Sequence, residues 1–280
     1  MAAPGRGGGP RAAARAAIVS SAVRERRVSV ARGIEARVWE KGDGAPLVFF
    51  GGLRGLPRWP AFLDALARER RVIAPSLPGF PGGTGHRALD GIADWTIAAL
   101  DLLDACAPAP VDLVGASAGA SLAAEIAAFS RASVWRLVLI APLGLFDAGE
   151  PPADLFAQGL SAIPPLLSAR PELYEAFLER PDGADAVEWE IETARAQEAV
   201  ARLFWPLTDT GLAKRLHRVT ASTLVVWGAQ DRLVPPGYAK RFADALGGPA
   251  EIRQIPGAGH MAELDEPEAV AAAVLEFLAA

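Results

Sequence analysis

The chain has 280 residues, 51% of them hydrophobic, enough to enclose one large core with an insertion and no argument by length for two independent domains. Its 28 basic and 33 acidic residues give a formal net charge of -5 with no basic stripe to follow a phosphate backbone, which argues against a nucleic-acid partner. No apolar stretch approaches the roughly 20 residues that span a bilayer, and a lone cysteine, Cys106, excludes an internal disulfide and falls in an apolar helical pattern as a small buried residue.

Residues 1–22 are rich in Ala, Gly and Arg and contain no acids, a composition that reads as a disordered tail on a cytoplasmic protein. From Val23 the pattern changes. Runs at Arg27–Ala31, Ala36–Trp39 and Leu47–Phe50 predict strands, the first two mixed like an exposed edge hairpin and the third apolar throughout, as burial on both faces requires. A helical pattern follows over Ala61–Arg68, then a strand at Arg71–Ala74. Over Gly91–Ala107 the residues Ile92, Trp95, Ala99, Leu100 and Leu103 recur at helical spacing.

The apolar run Val111–Val114 leads directly into Gly115-Ala116-Ser117-Ala118-Gly119, followed by an alanine-rich helix over Ser121–Phe129 and a strand at Val134–Ala141. Between 143 and 213 the chain is helical in pattern and dense in Pro, Phe and Trp, which predicts an inserted helical cap. The sheet resumes at Thr223–Trp227 and Glu251–Ile255, and Pro267–Leu278 closes the chain as a helix. Such alternation specifies an α/β fold. A mostly parallel central sheet, built from 23–142 and 214–280, is wrapped by helices and binds ligands at the carboxyl ends of its strands.

Three residues stand at such ends. Ser117 sits on a sharp strand-to-helix turn between glycines that relieve crowding, the mounting of a nucleophile. A serine hydroxyl is a poor nucleophile at neutral pH, so acyl transfer needs a base within hydrogen-bond reach and a third group to fix that base's tautomer. Of three histidines, His260 follows a strand in a Gly-rich loop, and Asp231 follows another strand in Trp227-Gly228-Ala229-Gln230-Asp231. The bland alternatives are a turn serine, a helix-capping aspartate and a structural histidine. Asp147 is a reserve acid in a loop where a solvated carboxylate is the simpler reading. His217 reads as a surface or packing residue, and His86, in a loop at the functional end of the sheet, is a weaker candidate for which substrate contact is the minor reading.

The order Ser, Asp, His, together with Trp227–Pro235 and Ile255–His260, resembles the α/β-hydrolase superfamily from about Val23 to the C-terminus. The resemblance implies that Ser117 attacks an acyl carbonyl, His260 takes its proton and Asp231 orients the imidazole. The Ala118 N–H, at a helix start, is expected to hold the oxyanion. A second donor is expected after Phe50, where the family usually has His-Gly and this chain reads Phe50-Gly51-Gly52-Leu53, with Gly52 preferred over Leu53. Serine in place of aspartate points away from relatives similar to haloalkane dehalogenases and epoxide hydrolases. Esterases, lactonases and carbon–carbon bond hydrolases remain, the last often with an aromatic residue where Met261 follows His260.

Leu53, Phe146, Phe156, Trp189, Trp205 and Met261 are the candidates for a pocket taking a small hydrophobic acyl substrate, although a helical insertion must also bury its own apolar face. No cofactor is implied, since no G-x-G-x-x-G follows a strand, and no metal, since neither paired histidines nor paired cysteines are present. The other class of reading is a sensor of the same fold that binds a hydrophobic ligand without turnover.

Overall fold

Continuous apolar runs at the middle of the chain leave two faces to cover, and the sheet they form is covered on both. The computed structural model describes residues 23–206 and 209–280; the expected disordered tail, 1–22, lies outside the described residues. Strands β1 (Arg24–Val30), β2 (Ile34–Lys41), β3 (Ala45–Phe50), β4 (Arg70–Pro75), β5 (Val111–Ala116), β6 (Val134–Ile140), β7 (Ser222–Gly228) and β8 (Ala250–Ile255) make one sheet in the order β1-β2-β4-β3-β5-β6-β7-β8. β1 pairs with β2, and β2 with β4, antiparallel; every other pairing is parallel. The edge hairpin is half-exposed, whereas β5 is buried along its whole length at the centre.

Helices α1 (Ala61–Leu66), α2 (Ile92–Cys106) and α3 (Ser117–Phe129) alternate with these strands. α1 ends before the expected Arg68 because Ala67–Glu69 turn back toward β4. α3 starts four residues before the expected Ser121, so Ser117 is itself the first residue of the helix. Cys106 is buried at the end of α2, where burial pushes its thiol up to about 11. One apolar cluster lies on the α2 and α3 face, with Trp95, Leu122 and Trp227 at its centre; the other, with Phe49, Phe62 and Val274, covers the opposite face.

Between β6 and β7 the chain inserts α4 (Ile163–Leu167), α5 (Pro171–Leu178) and α6 (Ala186–Phe204), with 3-10 turns at Leu155–Ala157 and Leu160–Ala162. α6 carries a normal N-cap, the Asp185 carboxylate accepting from the N–H groups of Val187 and Glu188. After β7 comes α7 (Tyr238–Ala245), a helix the sequence reading passed over, then α8 (Ala262–Asp265) and α9 (Pro267–Ala279). Its short buried stripe of Tyr238, Ala239 and Phe242 lies behind Pro235-Pro236, which masks the period. Among the described residues no helix is long and apolar enough to cross a membrane.

The return from the insert to the sheet is fixed by charge. Glu125 on α3 is fully buried, and Arg215, between 3-10 turns ahead of β7, meets it with Nε at 2.7 Å and Nη2 at 2.5 Å while also donating to the Thr210 carbonyl. A buried carboxylate stripped of its partner costs about 3–5 kcal/mol, whereas replacing both partners by apolar groups is often neutral. Arg215→Met is therefore expected to lose about 3–5 kcal/mol in urea unfolding, and Glu125→Leu/Arg215→Met to regain most of it. Equal losses in both variants would show that the pair contributes nothing specific.

Candidate active site

The turn at Ser117 is dictated by how closely helix α3 approaches the end of β3. A Cβ at Gly119 would lie 2.3 Å from the Phe50 carbonyl oxygen, and one at Gly115 would lie 2.5 Å from that of Gly119. Only glycine permits those contacts. Ser117 itself holds φ 47°, in the left-handed region that a serine occupies at a cost of order 1–3 kcal/mol. The strain is held by packing on all sides: Ser117 is 3% exposed, and Ser121 Oγ reaches both the Ser117 and the Leu143 carbonyl oxygens, at 3.2 and 2.6 Å.

Ser117 Oγ stands 2.7 Å from His260 Nε2, and His260 Nδ1 stands 2.8 Å from Asp231 Oδ2. The His260 and Asp231 side chains are wholly buried. An ionised carboxylate only accepts, so Nδ1 carries the proton and donates it to Asp231, leaving Nε2 free to accept from the serine hydroxyl. Asp231 Oδ1 accepts from the N–H groups of Leu233 and Val234, both at 2.9 Å, which fixes the carboxylate from the other side. The two loops are clamped together as well: the Gln230 N–H donates to the Ala258 carbonyl at 2.8 Å, and a Cβ at Gly228 would collide with the Gly259 carbonyl.

Opposite the relay lies the loop after β3. A Cβ at Gly52 would sit 3.3 Å from Ser117 Cβ, so this glycine is the floor beside the hydroxyl. Ala118 is fully buried in the first turn of α3, where helix N–H groups lack intrahelical acceptors. The pieces for transferring a proton from a serine and for receiving negative charge thus meet at one point.

A cavity of about 180 Å³ opens between the β3 loop and the insert, lined in part by Leu53, Leu155, Phe156, Leu167 and Val200. Of the six pocket candidates, Leu53 and Phe156 line it. Phe146, 42% exposed, and Trp205, 66% exposed, face away, and Trp189 is half-buried on α6 outside the lining. Met261 is buried and not part of the lining; its N–H donates to the Leu167 carbonyl at 2.8 Å, joining the histidine loop to the insert. Asp147 pairs with Arg241 and accepts from the Gly149 N–H, away from His260. His217 is exposed. His86 is buried with Nε2 3.4 Å from Glu198 on α6, and Arg87 forks onto the same glutamate at 3.1 and 3.0 Å, so this loop braces the insert. Burial holds the His86 imidazole below its ordinary value despite Glu198.

Two acids near the relay escaped sequence reading. Asp265, fully buried on α8, accepts from the N–H groups of Gly259 at 2.7 Å and Ala169 at 2.9 Å and from the Ser168 hydroxyl, tying the histidine loop to the insert. Glu263, on the same turn, is buried with Oε2 lacking a partner among the described residues. Their only sequence signal is two acids in the otherwise apolar stretch just after His260. Arg54, also missed, follows Leu53 into the cavity wall, one of two arginines, with Arg58, in a loop otherwise made of Gly, Leu, Pro and Trp.

The Alpha/beta hydrolase family model matches residues 44–273. The chain is 31% identical over 249 residues to the dihydrolipoyllysine-residue acetyltransferase component of the acetoin cleaving system of Pseudomonas putida, covering 84% of this chain and 64% of that one. It thus spans less than two thirds of that relative's length. It is 28% identical over 276 residues to the 2-hydroxy-6-oxo-2,4-heptadienoate hydrolase of Pseudomonas putida, covering 91% of this chain and 96% of the relative. In fold it is similar to 2-hydroxy-6-oxo-6-phenylhexa-2,4-dienoate hydrolase from Rhodococcus sp. strain RHA1, with a TM-score of 0.73 at 20% identity over 92% of this chain and 99% of that one.

Burial pushes the Glu263 carboxyl up to about 7; Asp265 and Asp231 add to the rise, while its own backbone N–H and His260 oppose it. The folded state therefore holds this proton where the unfolded chain, near 4.5, has released it. Stability contributed by the neutral acid is full below about 4.5 and lost as pH rises through 7. Glu263→Gln, neutral at every pH, is expected to gain on wild type by up to about 3 kcal/mol across that window in denaturant unfolding. A difference that stays constant with pH would mean that Glu263 does not titrate there.

Proposed function

The chain belongs to the alpha/beta hydrolase family, and from that premise we propose that it is a cofactor-free serine hydrolase that cleaves small to medium acyl compounds, carboxylic esters first among them, through an acyl-enzyme. The observation that carries this reading is the unbroken relay from Ser117 Oγ to His260 Nε2 and from His260 Nδ1 to Asp231, at 2.7 and 2.8 Å.

On this reading Ser117 Oγ attacks the carbonyl carbon as its proton passes to His260 Nε2. The imidazolium is stabilised by Asp231, which itself stays ionised. The oxyanion is received by the Ala118 N–H, aided by the positive end of α3, and by a second N–H from the Gly52–Leu53 segment. The tetrahedral adduct collapses as His260 returns the proton to the leaving oxygen. Water then repeats the sequence against the acyl-serine, with His260 again the base, to release the acid. A cavity of about 180 Å³ is smaller than the roughly 300–1,000 Å³ of sites that enclose drug-sized ligands, which supports short acyl groups over polymers.

A second reading has its own support. One relative is named for hydrolysis of a 2-hydroxy-6-oxo-dienoate, a compound without an ester linkage, so carbon–carbon bond hydrolysis on the same relay stands behind ester hydrolysis. A sensor without turnover fits less well, because binding alone gives no reason to hold Ser117 at a strained φ of 47° against a buried base.

Hydrolysis of p-nitrophenyl esters from acetate to decanoate distinguishes these readings. Wild type is expected to favour the short members and Ser117→Ala to lose at least about 10⁴-fold in kcat. Turnover that survives Ser117→Ala sinks the mechanism. Inactivity on all esters, with Ser117-dependent cleavage of a 2-hydroxy-6-oxo-dienoate, moves the assignment to the second reading.

A further inference from the structure

The wall of the cavity between the β3 loop and the insert is apolar but for a few groups, and one of them is a full positive charge. Arg54 lies two residues beyond Gly52, its Cα within about 7 Å of that glycine's along the chain, and its half-buried side chain lines the same cavity as Leu53, Phe156 and Leu167. Its Nε donates to the Tyr174 hydroxyl on α5 at 2.8 Å, and the guanidinium stands over the Tyr174 ring at 6.0 Å. Tyr174 is buried, so the arginine is held in place from behind. That contact uses one of five N–H donors. Among the described residues no acid pairs with Arg54, whereas Arg68, Arg87 and Arg215 each fork onto a glutamate.

The two terminal nitrogens of this half-buried cation have no protein partner among the described residues and are not sealed from solvent, so they are free to meet an anion that enters the cavity. The fork geometry matches a planar carboxylate, which takes two parallel N–H bonds. We infer that the substrate is an acyl compound bearing a carboxylate a few bonds from the scissile carbonyl, and that Arg54, positioned by Tyr174, is the specificity-determining residue that receives it. This inference rests on the serine-hydrolase reading of the same site and narrows its substrate from a hydrophobic acyl compound to an acidic one. Gln158 and Gln197, also in the lining, supply polar groups at the rim but no competing negative charge.

Two ester pairs test this. Mono-p-nitrophenyl glutarate against its methyl ester places the carboxylate on the acyl side, and 4-acetoxybenzoate against its methyl ester places it on the leaving group. In one pair the acid is expected to be favoured by about tenfold or more in kcat/KM, chiefly through KM, with the preference abolished in Arg54→Met and partly kept in Arg54→Lys. The inference is overturned if both pairs favour the neutral ester, or if Arg54→Met lowers the acid and neutral members equally, which would make the residue structural. A fall in kcat for the neutral ester alone would also overturn it, because Arg54 would then act on the reacting centre.

Calorimetric titration of glutarate separates this inference from the catalytic reading. Binding to Ser117→Ala that weakens about tenfold or more in Ser117→Ala/Arg54→Met supports it even if no ester is turned over. Absence of glutarate binding, joined to absence of any acid preference, overturns it.

Discussion

The contact on which the site depends is the approach of helix α3 to the end of strand β3. With Gly119 against the Phe50 carbonyl and Gly52 against Ser117, the helix start and the β3 loop are as close as two backbones can come without side chains between them. Any Cβ at Gly119 would push the helix away. Ser117 would then lose the packing that holds φ at 47°, and the buried N–H groups at the helix start would move off the loop that faces them. Strain of this kind persists only where the surroundings over-determine it, and here the sheet supplies that: β5, which delivers the serine, is buried between β3 and β6 along its whole length.

Around this contact the molecule buries carboxylates, and it satisfies them unequally. Asp231 accepts three hydrogen bonds, Asp265 accepts three and Glu125 accepts a forked arginine. Glu263 lacks such partners on Oε2 and answers burial by keeping its proton toward neutral pH. The difference assigns work to position. Asp231 holds the imidazole, Asp265 fastens the histidine loop to residues 168 and 169 of the insert, and Glu125 fastens the return of the insert to α3. Below about pH 7 Glu263 adds bulk near His260 without adding a further negative charge to those of Asp231 and Asp265.

How much of this was legible in the sequence follows from range. The strands of the parallel sheet are local apolar runs bounded by turns, and Ser117, Asp231 and His260 each announce themselves by standing just past such a run, so sheet and relay partners could be read residue by residue. The insert could not be read that way. An apolar residue at helical spacing says that something is covered, not what covers it. Phe156 turned inward to the cavity while Phe146 and Trp205, equally apolar, point to solvent. Asp265 and Arg54 were invisible for the same reason: their meaning lies in partners 96 and 120 residues away, Ala169 and Tyr174, and no short window contains both ends.

Chemistry and selection are thereby divided between two parts of the chain that meet along a narrow seam. The relay stands on strand ends of the sheet and would be complete without the insert. The cavity walls beyond Leu53 and Arg54 come from the insert, which is coupled to the relay through backbone contacts, Met261 to Leu167 and Gly259 with Ala169 through Asp265. Such a seam lets wall residues vary without breaking the proton path, since among the described residues no wall side chain hydrogen-bonds to His260 or Asp231. Arg54 is the exception in origin: it comes from the β3 loop, two residues from Gly52, yet is held by Tyr174 of the insert. A charge anchored on both sides of the seam senses where the insert sits.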